Sequence, residues 1–294
     1  MRFAVVIPTL GRPAVLADTL AGLARCTPPP DEVVVVDGDP AASARATTEG
    51  AAAAGGAIRY LIAPASATGQ RNRGMADAEG DVLVFLDDDV LVDPAAFAVL
   101  ARAYEDPAVI GATGRVIEPA SHRYGGRTSR ARRWLFGGGR EGTFTRFGYP
   151  RYLVHADRPR DVEFMPGCFM SARRSDALAV GFDEHLEGYA LAEDEDFSYR
   201  LSRRGRIRYL PDAVVHHRKL GFGSQDPRAF GRRVVVNRAY LFRKNFPQTA
   251  LARAQFGLLV AVQIGHRLLN GDWAGARGLV DGAAAAWRER RSPR

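Results

Sequence analysis

Three consecutive carboxylates, Asp87-Asp88-Asp89, follow directly on the apolar run Val82 to Leu86. Side by side they repel one another, and a divalent cation relieves that repulsion. Hard oxygen ligands suit Mn2+ or Mg2+, and such a cation suits a diphosphate. The plain alternative is a solvated acidic turn, with Asp93 helping to cap a helix that begins near Pro94. A second acidic run, Glu193-Asp194-Glu195-Asp196, precedes a helical segment from Phe197 to Arg204. Acidic residues favour helix N-termini, but one or two would serve as caps. If the run faces a cation site, one carboxylate can take a proton from an attacking hydroxyl. His216-His217 follow the apolar Ala213 to Val215. One imidazole can complete a carboxylate cation site, with an ordinary surface or core histidine as the alternative. Neighbours on a strand point to opposite faces, so the two do not serve together. Arg71 and Asn72 stand ready to meet a phosphate, to hold the carboxylates, or to form a surface salt bridge.

The elements that must position these groups alternate. Phe3 to Ile7 reads as a buried strand ended by Pro8-Thr9, and Val15, Leu16, Leu20 and Leu23 recur at helical spacing. Val33 to Val36 is a second strand, running into Asp37. A helix from about Ala41 to Ala54, a strand from Ile58 to Ile62, a helix from Thr68 to Ala78 and the strand Val82 to Leu86 follow. Such alternation predicts an α/β fold, a mostly parallel sheet between helices. Ligands of such sheets bind beyond the carboxyl ends of the strands. Thr9, Asp37 and Asp87-Asp88-Asp89 all stand at those ends.

The chain has 294 residues, 46% hydrophobic and 25% charged, which excludes a disordered polymer. No apolar run reaches the roughly 18–20 residues of a spanning helix, and the start does not read as a signal peptide. Two cysteines, Cys26 and Cys168, give neither a disulfide framework nor a cysteine zinc site, which fits a reducing cytoplasm. The net charge of +8 favours anionic partners. Residues 121–160 hold ten arginines with interleaved aromatics and glycines. We read this as a mobile loop on the acceptor side, a candidate lid, rather than a nucleic-acid surface. Beyond about residue 222 strand signals stop. The expected division is therefore 1–222 for the nucleotide and catalytic domain and 223–294 for a helical extension. Those helices would pack on the domain, pair two copies, or lie on the inner face of the cell membrane.

Taken in order, Val5-Val6-Ile7-Pro8-Thr9, the strand ending in Asp37, Arg71-Asn72-Arg73-Gly74, Phe85-Leu86-Asp87-Asp88-Asp89, Gly167-Cys168-Phe169 and Glu193-Asp194-Glu195-Asp196-Phe197 resemble the family 2 glycosyltransferases with their GT-A nucleotide-sugar fold. The resemblance covers about residues 1 to 245. It implies metal-dependent, inverting transfer of a sugar from a nucleoside-diphosphate sugar, a UDP-sugar by preference, to an acceptor hydroxyl. Pro8, Thr9 and Asp37 would line the nucleoside pocket. Asp87 would lie near the ribose, with Asp88 and Arg71 also on the donor side. Asp89 and His216 would hold Mn2+ or Mg2+, with His217 the runner-up. Gly167 would lie under the sugar, and Asp194 would be the catalytic base. The Gln-x-x-Arg-Trp motif of the processive members is missing. That favours a non-processive enzyme acting on a polysaccharide, lipid-linked or small-molecule acceptor. A nucleotidyltransferase and a non-catalytic nucleotide-sugar scaffold are the alternatives. The first needs a glycine- and Arg/Lys-rich phosphate loop after the first strand, of which Gly11-Arg12-Pro13 is a poor version. The second would be expected to lose one acidic cluster.

Overall fold

A computed structural model describes residues 1–119, 139–186, 191–220 and 226–289. The chain divides into two compact units. Within the described residues, the first comprises 1–119, 139–143, 151–186 and 191–220, and the second comprises 144–150 and 226–289. The expected boundary at 222 and the first part of the expected lid, 121–138, lie outside the described residues. Residues 139–143 and 151–160, the lid's described part in the first unit, are tied by backbone bonds. Among them are Gly142 N–H to Arg151 O (2.6 Å) and Arg151 N–H to Thr143 O (2.8 Å).

The first unit is built on one mixed sheet. Its strands are β1 (Phe3–Thr9), β2 (Glu32–Asp37), β3 (Ile58–Ile62), β4 (Val82–Leu86), β5 (Val90–Val92), β6 (Val109–Ile117), β7 (Arg160–Val162), β8 (Phe169–Arg173) and β9 (Arg206–His217). They run in the order β3-β2-β1-β4-β8-β6-β9-β5, with β7 also on β9. The first four are mutually parallel, whereas β8 is antiparallel to both β4 and β6. Strand β9 is parallel to β6 and antiparallel to β5.

Alternation along β1 explains the two layers of core. Phe3, Val5 and Ile7 pack with Leu16, Leu20, Phe97 and Leu100. Ala4 and Val6 pack on the other face with Met75, Phe85, Phe182 and Phe197. A strand buried on both faces reads as a continuous apolar run, which is why β1, β2 and β4 are visible in the sequence. The helices on these faces are α1 (Pro13–Leu23), α2 (Arg45–Ala53), α3 (Ala67–Asp77), α4 (Ala96–Tyr104), α5 (Arg174–Val180) and α6 (Glu193–Ser202). Helix α3 lies hard against the sheet at Gly74, where a Cβ would stand 2.5 Å from a Val6 methyl. That approach carries Arg71, one turn earlier, to the sheet's carboxyl edge.

The second unit has helices α7 (Pro227–Asn245), α8 (Ala250–Leu269) and α9 (Trp273–Glu289). Asp226 and Thr249 cap the first two through side-chain bonds to backbone N–H groups. Helices α7 and α9 touch backbone to backbone, since Cβ atoms at Gly278 and Gly282 would collide with Arg228 O and Arg232 O. Phe147, from the 144–150 turn, packs with Phe242, Ala252 and Leu259.

Candidate active site

Parallel register brings three strand ends level. Thr9 pairs with Asp37, and Val6 with Phe85, so Asp87 emerges beside Pro8. Strand β8 starts at the same edge, with Phe169 opposite Leu86, which places Gly167-Cys168 next to Asp87. Strand β9 ends there, with His217 opposite Val90 and His216 opposite Leu91.

The three aspartates separate into two functions. Asp87, Asp89 and His217 bring one ligand atom each to within 4.8 Å of one another. His217 Nε2 lies 3.2 Å from Asp89 Oδ1 and 3.9 Å from Asp87 Oδ2. His216 is exposed, because the next residue of a strand points to the opposite face. Of the two histidines it is His217, the runner-up, that lies beside Asp87 and Asp89. Burial opposes charge on His217, but the Asp89 carboxylate and the Cys168 sulfur hold its proton and push its pKa up to about 11. Asp89 is correspondingly held below the usual carboxylate range: burial works against this, and His217 outweighs it. Two carboxylates and an imidazole form a donor set that fits Mn2+ or Mg2+.

Asp88 faces inward and is 1% exposed. It accepts from Thr9 Oγ1 at 2.7 Å and forms a short ion pair with Arg12. Burial pushes its pKa up to about 6, with Arg12 and Thr9 resisting. Arg12 also reaches Leu220 O, and the Leu220 N–H donates to Asp89 Oδ2 at 2.9 Å. Asp37 is fully buried too, accepting from Asp39 N–H (2.9 Å), Ala44 N–H (3.0 Å) and Tyr60 O–H (2.8 Å). Both carboxylates hold the loops around them. Asp37 in particular holds residues 38–44, which is why α2 starts later than its alanine run suggests.

The second acidic run divides four ways at the start of α6. Asp194 Oδ2 accepts from Gly167 N–H (2.9 Å) and its Oδ1 from Glu195 N–H (2.8 Å). Glu193 accepts from Arg71 Nη1 at 2.6 Å. Asp196 is buried and pairs with Arg200 at 2.6 Å, and Glu195 is buried. Arg71 is itself 3% exposed, donating from Nη2 to Asp87 Oδ1 (2.9 Å) and Gly167 O (3.3 Å). Burial pushes Glu193 up to about 8 against the pull of Arg71. One guanidinium thus ties the aspartate turn, the Gly167 loop and the start of α6 into a single assembly.

The model of the family described as glycosyl transferase family 2 matches residues 4–178 of this chain. The chain belongs to that family. Solved structures give it the GT-A fold at low sequence identity. The mannosyltransferase PcManGT from Pyrobaculum calidifontis, in complex with GDP-Man and Mn2+, has a TM-score of 0.62 at 15% identity over 99% of this chain and 88% of that one. The S. aureus TarS structure has 0.57 at 16% identity, over 91% of this chain and 44% of that one. GalNAc-T7 with UDP, GalNAc and Mn2+ has 0.57 at 18%, over 80% and 48%. This chain thus spans less than half of the last two. No curated protein matches it in sequence.

The family match covers Asp87-Asp88-Asp89 and Gly167 and stops short of Asp194 and His217. Arg12 and Glu193 also build the site, and residue types alone do not single them out. Gly11-Arg12-Pro13 looks like a weak phosphate loop, and nothing in its spacing points to a carboxylate 76 residues away. Arg12→Met leaves Asp88 buried without its cation and is expected to cost about 3 kcal/mol. The melting temperature should fall by roughly 10 °C. Adding Asp88→Asn should recover part of that loss in a thermal melt. A single Arg12 variant melting with the wild type would show that Asp88 needs no partner.

Proposed function

We propose that the enzyme transfers a sugar from a nucleoside-diphosphate sugar to an acceptor hydroxyl by a metal-dependent, inverting, non-processive single displacement. The observation that carries this reading is the pairing of two distinct groups at one sheet edge. One is the cluster Asp87, Asp89 and His217. The other is Asp194, oriented by two backbone N–H groups on the Gly167 side. A nucleotidyltransferase reading has less support, because Arg12 is committed to Asp88 and does not build a phosphate loop.

Asp89 and His217 would hold Mn2+ or Mg2+, with Asp87 nearest the ribose and diphosphate. The bound cation supplies charge that balances the departing diphosphate. Asp194 takes the proton of the acceptor hydroxyl as its oxygen bonds to the anomeric carbon and the bond to the diphosphate breaks. Arg71 is too enclosed to follow the leaving group, so its work is positional. It holds Asp87, Glu193 and Gly167 in register. Pro8 and Thr9 form the floor of the nucleoside side. The neighbours' bound GDP-Man and UDP support a nucleotide donor, and a UDP-sugar is our preferred class.

Calorimetric titration with UDP, GDP, dTDP and CDP, each with Mn2+ and with EDTA, tests this reading. Binding of one nucleotide that needs the cation is expected. No binding by any of the four would overturn it. The Gly167 loop gives a finer test. A Cβ at Gly167 would stand 3.2 Å from both Cβ and Oδ2 of Asp194. Gly167→Ala must therefore displace the carboxylate by tenths of an ångström. Turnover should fall by about tenfold to a hundredfold with nucleotide affinity unchanged. Wild-type turnover in that variant would separate Asp194 from the reaction centre.

A further inference from the structure

The net positive charge of this chain resides at one end. Residues 226–294 carry thirteen Arg and Lys against four Asp and Glu, whereas residues 1–225 carry 28 against 29. The same segment concentrates exposed apolar side chains. Seven of the thirteen large hydrophobics exposed among the described residues lie in α8, α9 and their connection. At the turn between these helices Leu269 is 89% exposed and Trp273 70%. Trp273, Val280 and Trp287 follow at intervals of seven, one line along α9, and all three are exposed. Arg277 and Arg288 share that exposed face. On α8, Leu251, Leu258 and Leu268 are exposed, and the helix contains no acidic residue.

We propose that α8 and α9 dock this chain on an anionic phospholipid surface, with Leu269, Trp273 and Trp287 entering the headgroup boundary. Charge complementarity decides for lipid over a second copy. A symmetric dimer through this face would gather Arg277 and Arg288 of both copies in one interface, and like charges brought together there are costly. An anionic bilayer meets the same arginines with opposite charge and accepts the indole rings at its polar boundary. No helix among the described residues is long and apolar enough to cross a membrane, so these helices lie on the surface. This inference is independent of the transfer chemistry proposed above.

Co-sedimentation of the full chain with vesicles tests it, using phosphatidylcholine alone and phosphatidylcholine with about one third phosphatidylglycerol, at about 0.1 M and about 0.5 M NaCl. Binding to the anionic vesicles is expected to be at least about tenfold tighter than to the neutral ones, and to weaken with salt. The triple variant Leu269→Ser, Trp273→Ser, Trp287→Ser should lose about tenfold or more in affinity. Arg277→Glu with Arg288→Glu should abolish the preference for anionic lipid, and these exposed positions keep the test available if the triple variant melts early. The proposal fails if the wild-type chain stays in the supernatant with anionic vesicles. It fails equally if the folded triple variant or the arginine pair binds as the wild type does. A wild-type dimer in sedimentation velocity that the triple variant dissociates would give the face to a second copy and overturn the proposal.

Discussion

Asp194→Asn should lower the transfer rate by about 10²–10⁴-fold, the range that a positioned general base contributes. Nucleotide affinity should stay at its wild-type value, because in the proposed reaction this carboxylate serves the proton and not the diphosphate. Asparagine removes the negative charge that receives the proton and keeps the side chain's shape. Its cost is one backbone bond. Asp194 accepts N–H groups from Gly167 and Glu195 on its two oxygens, and an amide has a single acceptor oxygen. Thermal melts must therefore accompany the kinetics, with a loss of about 1 kcal/mol allowed for that bond. Rates should be read from single turnovers with donor saturating, so that product release does not mask the step. Full turnover in a folded Asp194→Asn chain would remove it as the base. The neighbouring Glu193, tied to Arg71, would then need the same scrutiny.

The second large effect concerns cation binding. Asp89→Ala and His217→Ala should each weaken Mn2+-dependent nucleotide binding by at least about 100-fold, the upper end of what is lost even when a ligand's supporting partner is removed. His216→Ala should leave it unchanged, since that ring lies on the opposite face of β9. Calorimetry on the three variants, with EDTA controls, separates the cases. Equal losses for His216 and His217 would mean that the end of β9 is not held as described. Retained binding in Asp89→Ala would move the cation elsewhere. The Asp89 result needs care in one respect: its carboxylate also accepts the Leu220 N–H, so Asp89→Asn, which keeps an acceptor there, is the companion variant.

Much of this was legible in the residues. Strands β1, β2 and β4 are short apolar runs buried on both faces, and nothing but a buried strand explains them at that length. The level strand ends then follow from parallel pairing. Other strands hide for physical reasons. Gly111 and Gly114 interrupt the apolar pattern of β6. In β8 the polar Ser171 is a core residue, bonded to Ala112 O at 2.7 Å. Strand β5 is three residues long and is held by its partner β9.

In the site, residue types identified the chemistry but not the directions. Three adjacent aspartates look alike in sequence, and only the inward turn of Asp88 to Arg12 and Thr9 sorts them. The two histidines are likewise equivalent until the register of β9 against β5 is known. The excess of acid at the start of α6 was a real signal. Its resolution into one group for Gly167, one for Arg71 and one for Arg200 depends on three segments distant in sequence.

The strand order has a consequence for how the polypeptide emerges from the ribosome. The parallel half, β1 to β4, is complete once residue 86 has been made, but the neighbour that covers β4 does not begin until residue 169. Through that interval β4 is an unpaired hydrophobic edge, the kind of template on which nascent chains aggregate. The cluster of Asp87, Asp89 and His217 can be completed only later still, because His217 follows the aspartate turn by some 130 residues. Arg12 and Thr9, the partners of Asp88, both precede it in the chain, so that part of the aspartate turn needs nothing synthesised later.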